Sequence, residues 1–261
     1  MVNHLRHLRR ALVTLCLVLS VAAIATDAMA AELRVLSGGA VKAALTKLAE
    51  TWSRQTGNRV TITYATTGAS LQKLAAGEPA DVVVLTAEAI DQLAARGTVL
   101  TDTKADVARV GIGVAVRAGA SAPDISTPEA VKQTVLAAKS IAYMDPSKGG
   151  TSGIHFTKVL EEMGIAAVVA PKAVLVDTGF AAERVATGEA EIVVHQISEI
   201  LPVKGVTLVG PLPRQIQKVT VYAAAVTTKS EVRDAATALI AYLTAPAARP
   251  KFAAVGLDYR E

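Results

Sequence analysis

One cysteine occurs in the 261 residues, Cys16, and it lies inside the apolar run from Ala11 to Ile24. Residues 1–30 read as a secretory signal: Arg6, Arg9 and Arg10 precede that run, and Ala28-Met29-Ala30 offers a small-x-small cleavage site. A membrane span needs roughly 20 apolar residues, more than this run supplies. Cys16 follows Leu15 rather than a small residue, which argues against lipid attachment. Cleavage after Ala30 is expected to leave an exported chain starting at Ala31. That chain has no cysteine, so disulfides and thiolate metal sites are excluded.

Aromatic residues are also scarce, at 3% against 51% hydrophobic, so the core must be built from Ala, Val, Leu and Ile. About 230 residues of this composition can bury a core as one or two domains. Removal of residues 1–30 takes Arg6, Arg9, Arg10 and Asp27, leaving 24 basic and 22 acidic residues, a net +2. So weak and even a charge, with few aromatics for base stacking, excludes nucleic acid as a partner. Lys148-Gly149-Gly150-Thr151 lacks the earlier glycine of a phosphate loop, and no Gly-x-Ser-x-Gly elbow is present. His155 and His195 alone survive in the mature chain, without partners at metal-ligand spacing, so neither a metal nor a cofactor is expected.

What the chain does have is strand-like runs alternating with helical ones, the pattern of an α/β fold with largely parallel sheets. Val41, Ala44, Leu45, Leu48, Ala49 and Trp52 recur at helical spacing and leave Lys42, Lys47, Glu50 and Arg54 outward, with Gly57 closing the helix. Further helices are expected from about Ser70, around Ala87 to Ala95, after a capping box at Ser126 to Glu129 and through Phe156 to Met163, with a final one capped by Ser230. Val82 to Leu85 is an unbroken apolar run, expected as a strand covered on both faces. Two longer apolar strands, Ala108 to Val116 and Gln217 to Val226, stand about a hundred residues apart. They predict two lobes joined by a double crossover: 31–110 and 219–261 in lobe I, 111–218 in lobe II, with a hinged cleft between.

Four strand-to-helix turns carry small hydroxyl residues and glycine: Ser37-Gly38-Gly39, Thr66 and Thr67 to Ser70, Lys148 to Ser152 with Gly150 and Thr151, and Thr178-Gly179. Such turns serve as ordinary caps. Four in succession at the carboxyl ends of strands instead suggest backbone N–H groups gathered around an anion. His195 ends a buried strand and with Gln196, Ser198 and Glu199 forms a polar cluster expected to face the same cleft, and His155 is read as a surface or capping residue. Lys148, Arg184, Arg214 and Lys218 are candidate cations for a carboxylate ligand.

The segments VLSGGAVKAALTKLAETW, ATTGAS, GEPADVVVLT, IAYMDPSKGGTSG and GEAEIVVHQ resemble the molybdate-type periplasmic substrate-binding proteins of ABC importers. The resemblance spans the mature chain and implies a type II periplasmic-binding-protein-like fold. It further implies a periplasmic monomer that captures a small anion for an inner-membrane permease. Ser37 and Ser70 match the family's hydroxyl positions. Its second serine is replaced by Gly38, and its tyrosine after the GIVY-like strand by His195-Gln196. The loss at Gly38-Gly39 is expected to leave room for a bulkier ligand, which favours an organic acid over molybdate. The SGG turn and GPLPRQIQKVTVY are similar to a divergent branch that includes aconitate isomerase.

Two functions follow. The first is a non-catalytic receptor: micromolar affinity needs about 8 kcal/mol, within reach of several hydrogen bonds to charged groups at roughly 1.5–3 kcal/mol each. The alternative is a cofactor-independent isomerase of an unsaturated tricarboxylate. There His195 would be the base, and Ser37, Thr67, Thr151 and Ser152 would hold carboxylates.

Overall fold

The computed structural model describes residues 30–258, so the expected signal lies outside the described residues except for Ala30. The chain opens on β1 (Glu32–Gly38) and passes through a 3-10 turn (Gly39–Val41) into α1 (Lys42–Thr56). It continues as β2 (Arg59–Ala65), α2 (Thr67–Ala75), β3 (Val82–Thr86), α3 (Ala87–Ala95) and β4 (Ala105–Val110). After Gly111 come β5 (Ile112–Arg117), α4 (Pro128–Ala137), β6 (Ile141–Met144), α5 (Thr151–Glu162), α6 (Ala166–Val169) and β7 (Ala173–Val176). Then follow α7 (Ala182–Thr187), β8 (Ile192–Gln196), α8 (Ile197–Ile200), β9 (Val206–Pro211), β10 (Thr220–Val226), α9 (Arg233–Thr244) and α10 (Arg249–Ala253).

Helix α1 buries Ala44, Leu45, Leu48, Ala49 and Trp52, and Gly57 ends it at φ 77°, where its N–H reaches Ser53 C=O. Three starts differ from the sequence reading. Thr66, not Ser70, caps α2, its Oγ1 accepting from Ala69 N–H at 3.1 Å. Thr127 rather than Ser126 caps α4, accepting from Ala130 N–H at 3.1 Å. Helix α9 starts only at Arg233, with no side-chain cap, and α10 follows it.

The strands form two five-stranded sheets, ordered β2-β1-β3-β10-β4 and β7-β6-β8-β5-β9. In each, two pairings are parallel and two antiparallel: four strands run one way and a single strand, β10 in the first sheet and β5 in the second, runs against them, so the sheets are mixed. Period-two alternation covers both faces of the first sheet. Val82 and Val84 pack with Trp52 and Leu239, whereas Val83 and Leu85 pack with Ile90 and Leu93. The second sheet repeats this, with Ile141 and Tyr143 on Phe156 and Leu160, and Ala142 and Met144 on Val185 and Ile200. Aliphatic side chains dominate both cores, as the composition requires.

The long apolar strand expected over 108–116 is divided at Gly111: β4 belongs to one sheet and β5 to the other. The return, between β9 and β10, is tied to this crossing by one side chain. Gln217 Oε1 accepts from Ile112 N–H at 2.8 Å while its Nε2 donates to Ile112 C=O at 2.8 Å.

Asp81, the last residue of GEPAD, is buried and joins three segments. Its carboxylate accepts from the backbone N–H of Arg34 at 2.8 Å, the Arg34 guanidinium at 3.2 Å and Ser230 Oγ at 3.0 Å. Ser230 Oγ thus donates to Asp81 and also accepts from Val232 N–H at 3.3 Å, one residue before α9, rather than capping the N–H groups inside the helix. Burial alone would raise the Asp81 pKa, but the hydrogen bonds from Arg34 and Ser230 outweigh it and hold the carboxyl below its ordinary value.

Candidate functional site

The carboxyl ends of β1 and β2 in one sheet and of β6, β7 and β8 in the other meet around a cleft of about 170 Å³. A cavity of roughly 150 Å³ holds a benzene-sized guest, so this space suits a small anion rather than a nucleotide. From the first sheet come Gly38 and Gly39 after β1, Lys42 on α1, Thr66 and Thr67 at the start of α2, and Tyr222 on β10. From the second come Gly150, Thr151 and Ser152 at the start of α5, Thr178 to Phe180 after β7, Gln196 at the end of β8 and Glu199 on α8. The amino ends of α1, α2 and α5 therefore all open on the cleft, and their free N–H groups and dipoles favour negative charge there.

Close packing fixes these turns. A Cβ on Gly153 would stand 1.8 Å from Met144 C=O, so only glycine lets α5 begin this tightly against the end of β6. A Cβ on Gly38 would stand 2.8 Å from Tyr222 Cε1, and one on Gly39 2.7 Å from Glu199 Oε1. The Gly38-Gly39 pair therefore leaves no extra room for a ligand, contrary to expectation. The protein's own Tyr222 ring and Glu199 carboxyl fill that space. Tyr222 also brings a phenol to the strand end where the family tyrosine is missing, donating to Gln196 Oε1 at 3.2 Å.

Ser37, Ser70, Lys148 and His195, all expected at the ligand, do not line the cleft. Ser37 is fully buried and its Oγ donates to Gly38 C=O at 3.1 Å. Ser70 is buried within α2, its Oγ without a partner. Lys148 contributes its carbonyl rather than its ammonium to the rim, accepting from Thr66 Oγ1 at 2.5 Å. His195 is fully buried behind the wall, with Nδ1 3.0 Å from Ser152 Oγ and Nε2 3.5 Å from Glu199 Oε2.

Burial drives that His195–Glu199 pair toward neutrality on both sides. It pushes the imidazole down to about 3 and the Glu199 carboxyl up to about 8. At pH 7 they meet as a neutral imidazole and a protonated carboxyl, not as an ion pair. Nε2 has no hydrogen-bond partner. A histidine held in this state is a poor base, whereas a carboxyl with a pKa near neutrality on the cleft wall is suited to taking and returning a proton.

Among the other sequence candidates, His155 Nε2–H donates to Ile216 C=O at 2.8 Å, so it anchors the return crossing. Arg184 pairs with Glu189 at 3.0 Å. Neither Arg184, Arg214 nor Lys218 lines the cleft, whereas Lys42, read from its spacing as merely outward, does. Glu199, expected at the cleft as part of the polar cluster after His195, does line it, whereas Tyr222 was missed. No local signal marked Tyr222, which reaches the site through strand pairing.

The two halves touch across the rim. Besides the Thr66–Lys148 bond, Gly68 N–H points at Gly149 C=O at 3.4 Å, and a Cβ on Gly68 would stand 2.8 Å from Gly149 Cα. Among the described residues no group of three or more His, Cys, Asp or Glu is placed to hold a metal ion. No helix among them is long and apolar enough to cross a membrane.

Two mixed α/β lobes presenting strand ends and helix amino termini to one small cleft define a solute-binding protein of the two-lobed periplasmic type. The chain belongs to the bacterial extracellular solute-binding protein family, whose model matches residues 33–258. It is similar to an aconitate isomerase from a Pseudomonas species, with 37% identity over 217 residues and 81% of each chain covered. In fold it is similar to the periplasmic molybdate-binding protein of Azotobacter vinelandii, at TM-score 0.74 and 20% identity, covering 88% of this chain and 100% of that one. The sulfate-binding protein of Mycobacterium tuberculosis gives 0.69 and 17%, covering 87% of this chain and 86% of the other.

Proposed function

We propose that the cleft takes a small unsaturated polycarboxylic acid and shifts a proton on it, an isomerase reaction of the aconitate type in an exported protein. The observation that carries this reading is Glu199, a buried carboxyl on the cleft wall with its pKa raised to about 8. A receptor for an anion gains little from a carboxyl at that place, while proton transfer at neutral pH needs one. The 37% identical aconitate isomerase supports the same chemistry.

In its ionised form Glu199 removes a proton from the methylene carbon between the double bond and a carboxylate. The electron pair left behind spreads over the three-carbon allyl unit and its carboxylates. Glu199 then returns the proton to the far allyl carbon, so the double bond moves and its geometry is reset. One C–H bond breaks, another forms, and no redox partner is required. The Gln196 amide, turned by Tyr222 on its Oε1, has Nε2 left without a partner, and Thr67 Oγ1 is likewise unpaired. These are donors for the carboxylate charge that grows in the transition state. His195 backs Glu199 without touching the ligand.

The test is to add trans-aconitate to the purified protein and follow the proton NMR spectrum. Appearance of the cis isomer supports the reading. A spectrum unchanged over hours, with binding demonstrated, leaves the transport receptor as the better account. That second reading draws on the family itself and on the rim contacts that shut the cleft; binding without turnover is its signature.

A further inference from the structure

Lys42 is the one lysine or arginine among the described residues lining the cleft. Its Nζ lies 5.6 Å from the ring centroid of Tyr64 on β2 and 5.6 Å from that of Phe180, which the other sheet supplies after β7. Among the described residues no ion pair includes it. The ammonium stands at cation–π range of two rings, one from each half of the protein, so it is positioned at the cleft without an acidic partner to neutralise it. The remaining charged group on the wall is Glu183, exposed beside Gly179, which repels a second negative end from that side.

A second polar demand lies in the wall itself. Gln196 is 2% exposed, and with Oε1 engaged by Tyr222 its Nε2 is unpartnered. A buried amide donor with no acceptor is costly until something supplies one. A ligand that carries acids at both ends answers both demands for negative oxygen at once.

We infer that Lys42 is a carboxylate-binding site that selects ligands with two or more carboxylates, one on the Lys42 ammonium and another on the Gln196 amide. This rests on the carboxylic-acid reading above and adds the residue that discriminates within that class. Because Tyr64 and Phe180 come from different halves, a carboxylate on Lys42 is held where the two halves meet.

The test is calorimetric titration of the full protein, as wild type, Lys42→Gln and Lys42→Arg, with tricarballylate, glutarate and butyrate. These acids cannot react and differ in carboxylate number. Lys42 is exposed, so its substitution leaves the fold intact. The expected result is a loss of about tenfold or more for tricarballylate and glutarate in Lys42→Gln, equivalent to about 1.4 kcal/mol, with partial recovery in Lys42→Arg and butyrate unaffected. Equal affinity of wild type and Lys42→Gln for tricarballylate overturns the inference, as does wild-type preference for butyrate. Isomerisation of trans-aconitate separates this from the parent reading. Turnover without Lys42 dependence removes only the subsite, and Lys42-dependent binding without turnover removes only the isomerase.

Discussion

The carboxyl of Glu199 lies over Gly39, with Oε1 2.7 Å from where a Cβ on that glycine would stand. Glu199 is on α8 after the second sheet's β8, and Gly39 follows the first sheet's β1, so an acid from one half is seated on bare backbone of the other. The burial that raises the Glu199 pKa therefore includes backbone of the opposite half.

Glu199→Gln is expected to lower isomerase turnover by about 10²–10⁴-fold, the usual worth of a positioned acid or base. The same change stabilises the protein. Because the folded pKa is about 8 against an ordinary 4.5, the unfolded chain loses its proton first as pH rises, and wild-type stability falls between those two values. The melting temperature of Glu199→Gln should exceed that of wild type by a margin that widens from pH 5 to pH 8, with about 2–4 °C for each kcal/mol relieved. A variant less stable than wild type at pH 8 contradicts the assignment.

Gly68→Ala separates closure from folding. Gly68 lies in the first turn of α2, where alanine is the better helix former by up to about 1 kcal/mol, but its Cβ collides with Gly149 across the rim. The free variant should melt no lower than wild type. It should bind tricarballylate more weakly, with a larger radius of gyration by X-ray scattering in saturating ligand. Wild-type affinity would show that the rim contact plays no part in closure.

Gly38→Ser restores the serine that the resembled family carries, yet it drives the side chain into Tyr222. Overpacking of this kind costs roughly 1–3 kcal/mol, and displacement of Tyr222 releases the Gln196 amide. Urea denaturation should show the loss, and molybdate binding should not appear. Gain of molybdate affinity would mean that the glycine alone sets the ligand.

Asp81→Ala strands the backbone N–H of Arg34 and the Ser230 hydroxyl and breaks a pair with one buried member. Losing one partner of a buried pair costs about 3–5 kcal/mol, and the lower end applies because Arg34 is half exposed. Since the Asp81 pKa is lowered in the fold, its contribution is present above the unfolded value and lost as pH falls through the folded one. Acid titration of stability should therefore flatten in the variant below pH 4.

The order of strands and helices was legible because apolar periodicity and glycine stops such as Gly57 are local signals. Helix starts were less so: Ser70 and Ser230 carry cap-type hydroxyls, but burial in α2 and the bond to Asp81 decide their roles. At the site, strand ends and turns could be found, but the direction of each side chain could not. His195 and Gln196 are neighbours, and successive strand residues face opposite sides, so which of the two meets the cleft depends on sheet register. Tyr222 reaches Gln196 by pairing of β10 in the first sheet. No window around residue 196 contains that information.

The measurement closest to the central claim is deuterium incorporation from heavy water into trans-aconitate, followed by NMR for wild type and Glu199→Gln from pH 6 to pH 9. The account predicts exchange in wild type that rises with pH toward a plateau above about 8, as the Glu199 carboxylate forms, and none in the variant. Exchange in Glu199→Gln at the wild-type rate, or a wild-type rate independent of pH across that range, would contradict it.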